Sequence, residues 1–346
     1  MSATPTRRLR RATGLLAAAG AAGLAWSLVE AQAFTVRRVS AAVLPAGADP
    51  VRVLHVSDLH LLPRQGRKIG WLRDLAALEP DLVINTGDNM AHREALPTVL
   101  AALEPLLELP GAFVMGSNDY FSPKPSNPAR YLLPDARREK TEDRAEDLPG
   151  RELGYAFAAC GWLDLSNQAG RVQVRGTQLD LIGVDDPHLD RDELPEVWPA
   201  EPAMVDGAAS PAQGTTPGSS GSAGAQPPTV RIGVAHAPYL RVLRGMQELG
   251  CELVLAGHTH GGQLCLPGFG ALVTNCGIDR SRVKGPSRWG AHMHLHVSAG
   301  LGTSPYAPAR FFCPPEASLL TLVPAPQTAS VPRTEGAVSP FATRVR

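Results

Sequence analysis

The chain is 346 residues long, with 33 basic and 33 acidic side chains and a formal net charge of zero. A neutral balance supplies no global field toward nucleic acid. The five cysteines, scattered without a CxxC pair, exclude a zinc finger or a disulfide framework.

The length allows one large or two small domains, and plentiful glycine and proline beside sparse aromatics fit a loop-rich α/β enzyme with some disordered sequence. The cysteines read as mostly buried small hydrophobes, with one pair able to bond if the domain is exported. The chain begins with Arg7, Arg8, Arg10 and Arg11 and no acid, followed by an uncharged Ala/Gly/Leu stretch from Ala12 to Val29. That length suits a membrane span, with the arginines on the cytoplasmic side and the remainder outside. Ala31-Gln32-Ala33 also matches a signal-peptidase pattern, and Thr6-Arg7-Arg8 faintly resembles a twin-arginine signal. The readings are an anchor, a cleaved signal and a buried amphipathic helix. The expected location is the cell membrane with the main domain outside, or secretion after cleavage.

Phe34–Val43 reads as an extended edge segment. Val51–Val56 is a strand ending in Ser57-Asp58-Leu59-His60, with His55 inside it as a core histidine. Gly70–Glu79 has helical spacing and stops at Pro80. Leu82–Ile84 is a strand running into Asn85-Thr86-Gly87-Asp88-Asn89, Glu94–Leu109 a helix, and Ala112–Met115 a strand ending in Gly116-Ser117-Asn118-Asp119. This alternation predicts a mainly parallel sheet. The Pro-rich Tyr120–Pro134, with Arg130 and Tyr131, is placed to overhang a site, and the charge-rich Asp135–Asp147 reads as solvated surface. Val172–Val174 and Leu179–Val184 form a hairpin leading into Asp185-Asp186-Pro187-His188. Residues 201–228 are small and polar and read as a disordered insertion. Val230–Val234 is a strand reaching His236, followed by a helix near Tyr239–Leu249. The apolar Leu253–Ala256 then stops at Gly257 before His258-Thr259-His260-Gly261-Gly262. Late strands fall at His294–Ser298 and Ser318–Val323, and 324–346 reads as a disordered tail.

Strand ends are where an open α/β sheet places its ligands. They collect Asp58, His60, Asp88, Asn118, His236, His258 and His260, a set of carboxylate, amide and imidazole that suits Mn, Fe or Zn. Seven candidates exceed one tetrahedral ion and fit two divalent cations sharing a carboxylate. The order DxH, GDN, GSND, H, GHTH resembles the calcineurin-like metallophosphoesterase superfamily, in its membrane-associated or exported bacterial branch, over roughly Val51 to Val323. That resemblance implies a four-layer α/β/β/α sandwich and hydrolysis of a phosphodiester, monoester or pyrophosphate by a metal-bridging hydroxide. It assigns Asp58, His60 and His260 to a first metal and Asp88 to a bridge. His236, His258 and an amide from the third motif fall to the second metal. The domain division is 1–33 as basic N-terminus with anchor or signal, 34–323 as catalytic domain, and the tail.

The third motif departs from the family's Gly-Asn-His-Asp/Glu. A gapless match puts Ser117 on the metal, and a one-residue shift puts Asn118 there, the better donor. Either way the motif lacks a histidine for the leaving group, so good leaving groups are favoured unless His92, Asp119 or water acts as the acid. Arg310, in the late Pro-rich stretch, and Arg130 are candidates to meet the substrate phosphate, which is lipid-linked in one version of the reading. His292, His294 and His296 alternate as a half-buried strand face. The altered motif also motivates a second reading, a catalytically degenerate, membrane-anchored scaffold. No basic-aromatic stripe marks nucleic acid, and nothing specifies an oligomeric state.

Overall fold

The computed structural model describes residues 5–124, 145–198, 203–206, 229–303 and 305–326. The N-terminal stretch is one helix, α1 (Pro5–Glu30). Its Thr13–Glu30 segment has the length and apolarity of a membrane span or a signal sequence. Most of it is exposed, so the option of a helix buried along its length is set aside. Its last turn is different, because Ser27, Glu30 and the following Ala31 are buried against the rest of the chain.

The elements that follow are β1 (Thr35–Leu44), β2 (Val51–Val56), α2 (Gly66–Asp74), β3 (Leu82–Asn85), α3 (Leu96–Leu107), β4 (Gly111–Phe113) and α4 (Ser117–Tyr120). Next come α5 (Gly150–Ala159), β5 (Leu163–Asp164), β6 (Ala169–Val174), β7 (Thr177–Gly183) and β8 (Ala203–Asp206). Then follow β9 (Thr229–Ala235), α6 (Leu240–Glu248), β10 (Leu253–Ala256), β11 (Cys265–Leu266) and β12 (Gly270–Ala271). The last are β13 (Gly285–Trp289), β14 (Met293–Val297) and β15 (Glu316–Pro324).

Two large sheets carry the fold. The first has the order β1-β15-β2-β3-β4-β5 and the second β13-β14-β10-β9-β7-β6-β8. Most pairings are parallel, and β15 with β2, β6 with β7 and β13 with β14 are antiparallel. The near-continuous apolar runs of β2, β3 and β10 are what strands covered on both faces require. Leu54, Val56 and Val83 face outward onto α2, α3 and α5. Val53, Leu82 and Ile84 meet Leu181, Ile232 and Leu255 between the sheets. Val254 and Leu295 face α6. The result is four layers, α/β/β/α.

β1 is an edge strand, as its half-polar pattern suggested. β8 lies inside the stretch expected to be unstructured, because Ala203–Asp206 pairs with Gly170–Gln173 of β6. Residues 207–228, most of Tyr120–Pro134, Arg130 and Tyr131 among them, and 327–346 lie outside the described residues. Helix α3 tolerates Pro105 near its end because Arg73 replaces the donor that proline lacks. Its Nη1 reaches the Ala101 carbonyl at 2.6 Å.

Candidate metal centre

All the strand-end motifs meet at one edge of the two sheets. The loops after β2 and β3 run side by side, with N–H groups of Asp58, His60 and Leu61 donating to the carbonyls of Gly87, Asp88 and Asn89. The loop after β10 packs across them. A side chain on Gly257 would collide with Ser57 Oγ and Asp58, so only glycine admits this approach. The His258 N–H donates to Asp58 Oδ2 at 3.0 Å.

Four imidazoles and two carboxylates converge there. His60 Nε2 and His260 Nε2 face each other at 3.1 Å, and His236 Nε2 and His258 Nδ1 at 3.2 Å. Asp88 lies between the pairs, with Oδ2 3.4 Å from His60 Nε2 and Oδ1 3.5 Å from His236 Nε2. Asp58 Oδ1 is 3.5 Å from His260 Nε2. Two compact triads result, Asp58–His60–His260 and Asp58–Asp88–His236, each with ligand atoms within 4.8 Å of one another.

The outer nitrogens decide which inner nitrogens are bare. His236 Nδ1 meets the Thr86 carbonyl at 2.7 Å, His258 Nε2 that of Asn275 at 3.3 Å, and His260 Nδ1 that of Gly302 at 3.1 Å. A carbonyl only accepts, so each of these nitrogens carries a hydrogen; in neutral His258 and His260 the opposite nitrogen presents a lone pair, and in His236 it does so once a bound cation displaces the second proton. Burial holds His60, His258 and His260 neutral, with His260 down to about 3. Burial raises Asp88, and Asp58, Asp119 and Asp186 add to it against the opposing pull of His236. Burial alone would lower His236, yet Asp88, Asp186 and Asp58 outweigh it and hold it up to about 9. Buried lone pairs facing each other beside crowded carboxylates make a donor set that fits divalent cations.

A hydrogen-bonded chain stands behind Asp58. Its Oδ2 accepts from Ser57 Oγ at 2.5 Å, Ser57 Oγ accepts from Thr86 Oγ1 at 2.7 Å, and Thr86 Oγ1 meets His55 Nε2 at 2.9 Å. His55 is a core histidine as expected, satisfied only at Nε2, which makes it the far end of this chain, while its buried Nδ1 has no hydrogen-bond partner among the described residues. Its ring lies edge-on to His296, 5.7 Å away across the sheets.

Other expected site residues take different places. Asp119 is fully buried and accepts backbone N–H groups from Asp88, Asn89 and Gly116 at 2.8–3.0 Å. It braces the Asp88 loop, its carboxylate receiving all three of these N–H groups. Asn118 donates its backbone N–H to Asp88 Oδ1 at 2.6 Å, while its Nδ2 bonds the Phe121 carbonyl at 2.9 Å. His92 is exposed and accepts from the Glu94 N–H. Arg310, expected to meet phosphate, is instead fully buried. Its guanidinium donates to the carbonyls of Ala299, Gly300, Gly302 and Cys313, and it lies 3.4 Å from His260 Nδ1. A guanidinium donating to four carbonyls ties together the segments around the His260 loop, while its Nε has no hydrogen-bond partner among the described residues. Arg130 lies outside the described residues. His292 precedes the strand carrying His294 and His296.

Sequence reasoning gave too little weight to His188 and Asp186 and missed Lys68. The His188 ring is 4.7 Å from that of His258, and its Nδ1 is 3.0 Å from Tyr239 Oη. Asp186 is buried, which raises it to about 7, and its Oδ1 caps the His188 N–H. The DDPH run after a strand was the available signal. Lys68 is buried on α2 with Nζ on the Leu59 carbonyl, and nothing local marks it.

The profile of the calcineurin-like phosphoesterase family matches residues 51–262. "Phosphodiesterase YaeI" of Escherichia coli (strain K12) is 25% identical over 297 residues, which cover 84% of this chain and 88% of that protein. Among solved structures, TT1561 of Thermus thermophilus aligns with 13% identity and a TM-score of 0.35, covering 73% of this chain and 91% of that one.

Proposed function

Because the chain belongs to the calcineurin-like phosphoesterase family and is a phosphoester hydrolase, we propose that it is a two-cation phosphodiesterase held at a membrane by α1. The observation that carries this reading is the pair of facing imidazole couples with Asp88 between them. Asp58, His60 and His260 would hold one cation. His236 and His258 would hold the other, with Asp88 available to both and the Asn118 side-chain amide oxygen as the remaining donor. Bound Mn, Fe or Zn would supply the charge that lowers the pKa of a water and offsets the phosphoryl oxygens.

The protein's own part is positioning. Asp119 and the paired loops fix Asp88, the backbone carbonyls fix three imidazole tautomers, and Arg310 fixes the His260 loop. His188, beside His258, takes the leaving-group proton role that the third motif leaves vacant. The match to a protein named a phosphodiesterase supports the choice of diester over monoester.

The test is metal analysis of the full chain, with turnover of bis(p-nitrophenyl) phosphate and p-nitrophenyl phosphate in Mn²⁺. We expect two ions per chain and faster diester hydrolysis. Asp88→Asn should lose both ions and lower kcat/KM by about 10³-fold or more, as loss of the shared charged ligand removes transition-state stabilisation. His188→Ala should slow an alkyl diester more than the nitrophenyl one. One ion or none in the unaltered protein sinks the two-cation assignment, and monoester preference sinks the substrate class.

A further inference from the structure

Outside α1, six large apolar side chains stand exposed among the described residues, and they are not scattered. Leu266 (45%), Phe269 (55%), Tyr306 (41%) and Phe312 (52%) fall within one stretch, with only Tyr155 and Val197 elsewhere. Leu266 and Phe269 sit on the β11–β12 hairpin, which begins five residues after His260. That hairpin is tied to the Phe312 segment, because the Cys265 N–H donates to the Phe311 carbonyl at 2.8 Å and Leu264 bridges Phe311.

The same segment is locked to the end of α1. The Glu30 carboxylate accepts the N–H groups of Phe312 at 3.1 Å and Cys313 at 2.5 Å, and the Ser27 carbonyl accepts that of Arg310 at 2.9 Å. Trp26 Nε1 also donates to Glu30, at 2.8 Å. The helix is therefore not a loose tether. It leaves the domain at a defined point, beside Phe312, and carries exposed Trp26, Leu28 and Val29 up to that point. Cations complete the face. Arg280 lies over the Phe269 ring, 4.3 Å from its centroid, and Lys284 Nζ meets the Phe312 carbonyl at 3.2 Å.

We infer that the β11–β12 hairpin and the Phe312 edge form a membrane-seating surface, continuous with α1, which rests in the head-group layer of an anionic bilayer. Exposed aromatics next to a span, with basic side chains laid along them, match the chemistry of a bilayer interface. In water this patch would be an unexplained liability. The seat begins five residues after His260, so the loop that carries two of the metal-site histidines runs directly into it. The inference rests on the reading of α1 as an anchor and not on the catalytic reading.

The experiment reconstitutes the full chain in phosphatidylcholine–phosphatidylglycerol vesicles with brominated phosphatidylcholine. Added tryptophan emission is read, relative to the unaltered protein, for Leu16→Trp, Phe269→Trp, Phe312→Trp and Tyr155→Trp. Position 155 is on α5, which packs on the outer face of the first sheet near β5, the strand at the opposite edge from β1. The expected result is that shallow bromines remove about half of the emission added at 269 and 312. Deep bromines should quench position 16, and position 155 should stay unquenched. Quenching at 16 with 269 and 312 behaving like 155 overturns the seat and leaves the anchor standing. No quenching at 16 overturns the anchor and the inference with it. Aryl phosphodiester turnover matching the unaltered protein shows that each variant is folded, and Leu266→Trp replaces either position that fails this check.

Discussion

Five of the six carboxylate and imidazole donors hold a left-handed backbone: Asp58 at φ 50°, His60 at 40°, Asp88 at 57°, His258 at 67° and His260 at 50°. Such conformations cost a side-chain-bearing residue about 1–2 kcal/mol each. The paired loops and Asp119 hold them in place, as strain at functional sites generally requires. Protons answer the same crowding. Asp88 and His236 bind a proton more tightly folded than unfolded, since their values rise from 3.8 to about 8 and from 6.5 to about 9. Their stabilisation is therefore full below the unfolded values and is lost as pH rises through about 8 to 9. His60, His258 and His260 are depressed, so what they contribute is present above 6.5 and lost as pH falls toward their folded values. Chelator-treated protein should melt highest near neutral pH and lose Tm by about pH 9, whereas Mn²⁺-loaded protein should hold its Tm there. Melting curves across that range check this, and equal alkaline losses with and without Mn²⁺ would refute it. The donors were legible because each follows an apolar run and a glycine or a polar turn. The backbone conformation and the roles of Asp119 and Arg310 were not, since an Asp or Arg in a loop does not show whether it faces a substrate or its own chain's carbonyls.

At the scale of elements, apolar runs gave the central strands, and the errors fall where the pattern is thin. Helix α5 presents only Leu153 and Phe157 as large buried side chains and carries Gly150 and Gly154, so neither periodicity nor propensity announces it. Strand β13, GPSRW, is an edge strand with a proline and little burial. The junction of α1 was hidden for another reason. Glu30 stands directly before the Ala31-Gln32-Ala33 pattern with nothing local to mark its use, which is a contact made 282 residues later. Glu30→Ala would strand the N–H groups of Phe312 and Cys313, and should lower stability by about 2–4 kcal/mol. Through the neighbouring Arg310 and His260 it should also weaken Mn²⁺ binding about tenfold, the range expected of groups that orient metal ligands. Denaturant unfolding and Mn²⁺ titration of the full chain in detergent measure both, and unchanged binding would show that α1 does not reach the metal centre.

Over the whole molecule the four layers depend on β15. It lies between β1 and β2 in the first sheet, parallel to one and antiparallel to the other, and contributes Leu319 to the outer core with Leu320 and Leu322 between the sheets. Removing 327–346 should leave folding and Mn²⁺ content unchanged. Removing 316–346 takes away the partner of both β1 and β2 and should abolish cooperative unfolding. Circular dichroism melts of the two truncations decide it, and a cooperative melt in the shorter chain would show that the sheet closes without its inserted strand. Sequence reading placed this strand but not its position, because a run such as ASLLTL does not specify which neighbours it parts.

That insertion also fixes a schedule. β1 is among the first segments synthesised, yet its pairing partner lies about 280 positions away, as the Arg37–Glu316 contact at a separation of 279 shows. Until the final strand arrives, the first sheet is two pieces, and the apolar faces meant for each other have no lid. Contacts this distant close late and slowly. A nascent chain therefore carries β1 and β2 without the strand that joins them until β15 has been made. The same delay leaves it dependent on whatever shields exposed strands during that interval.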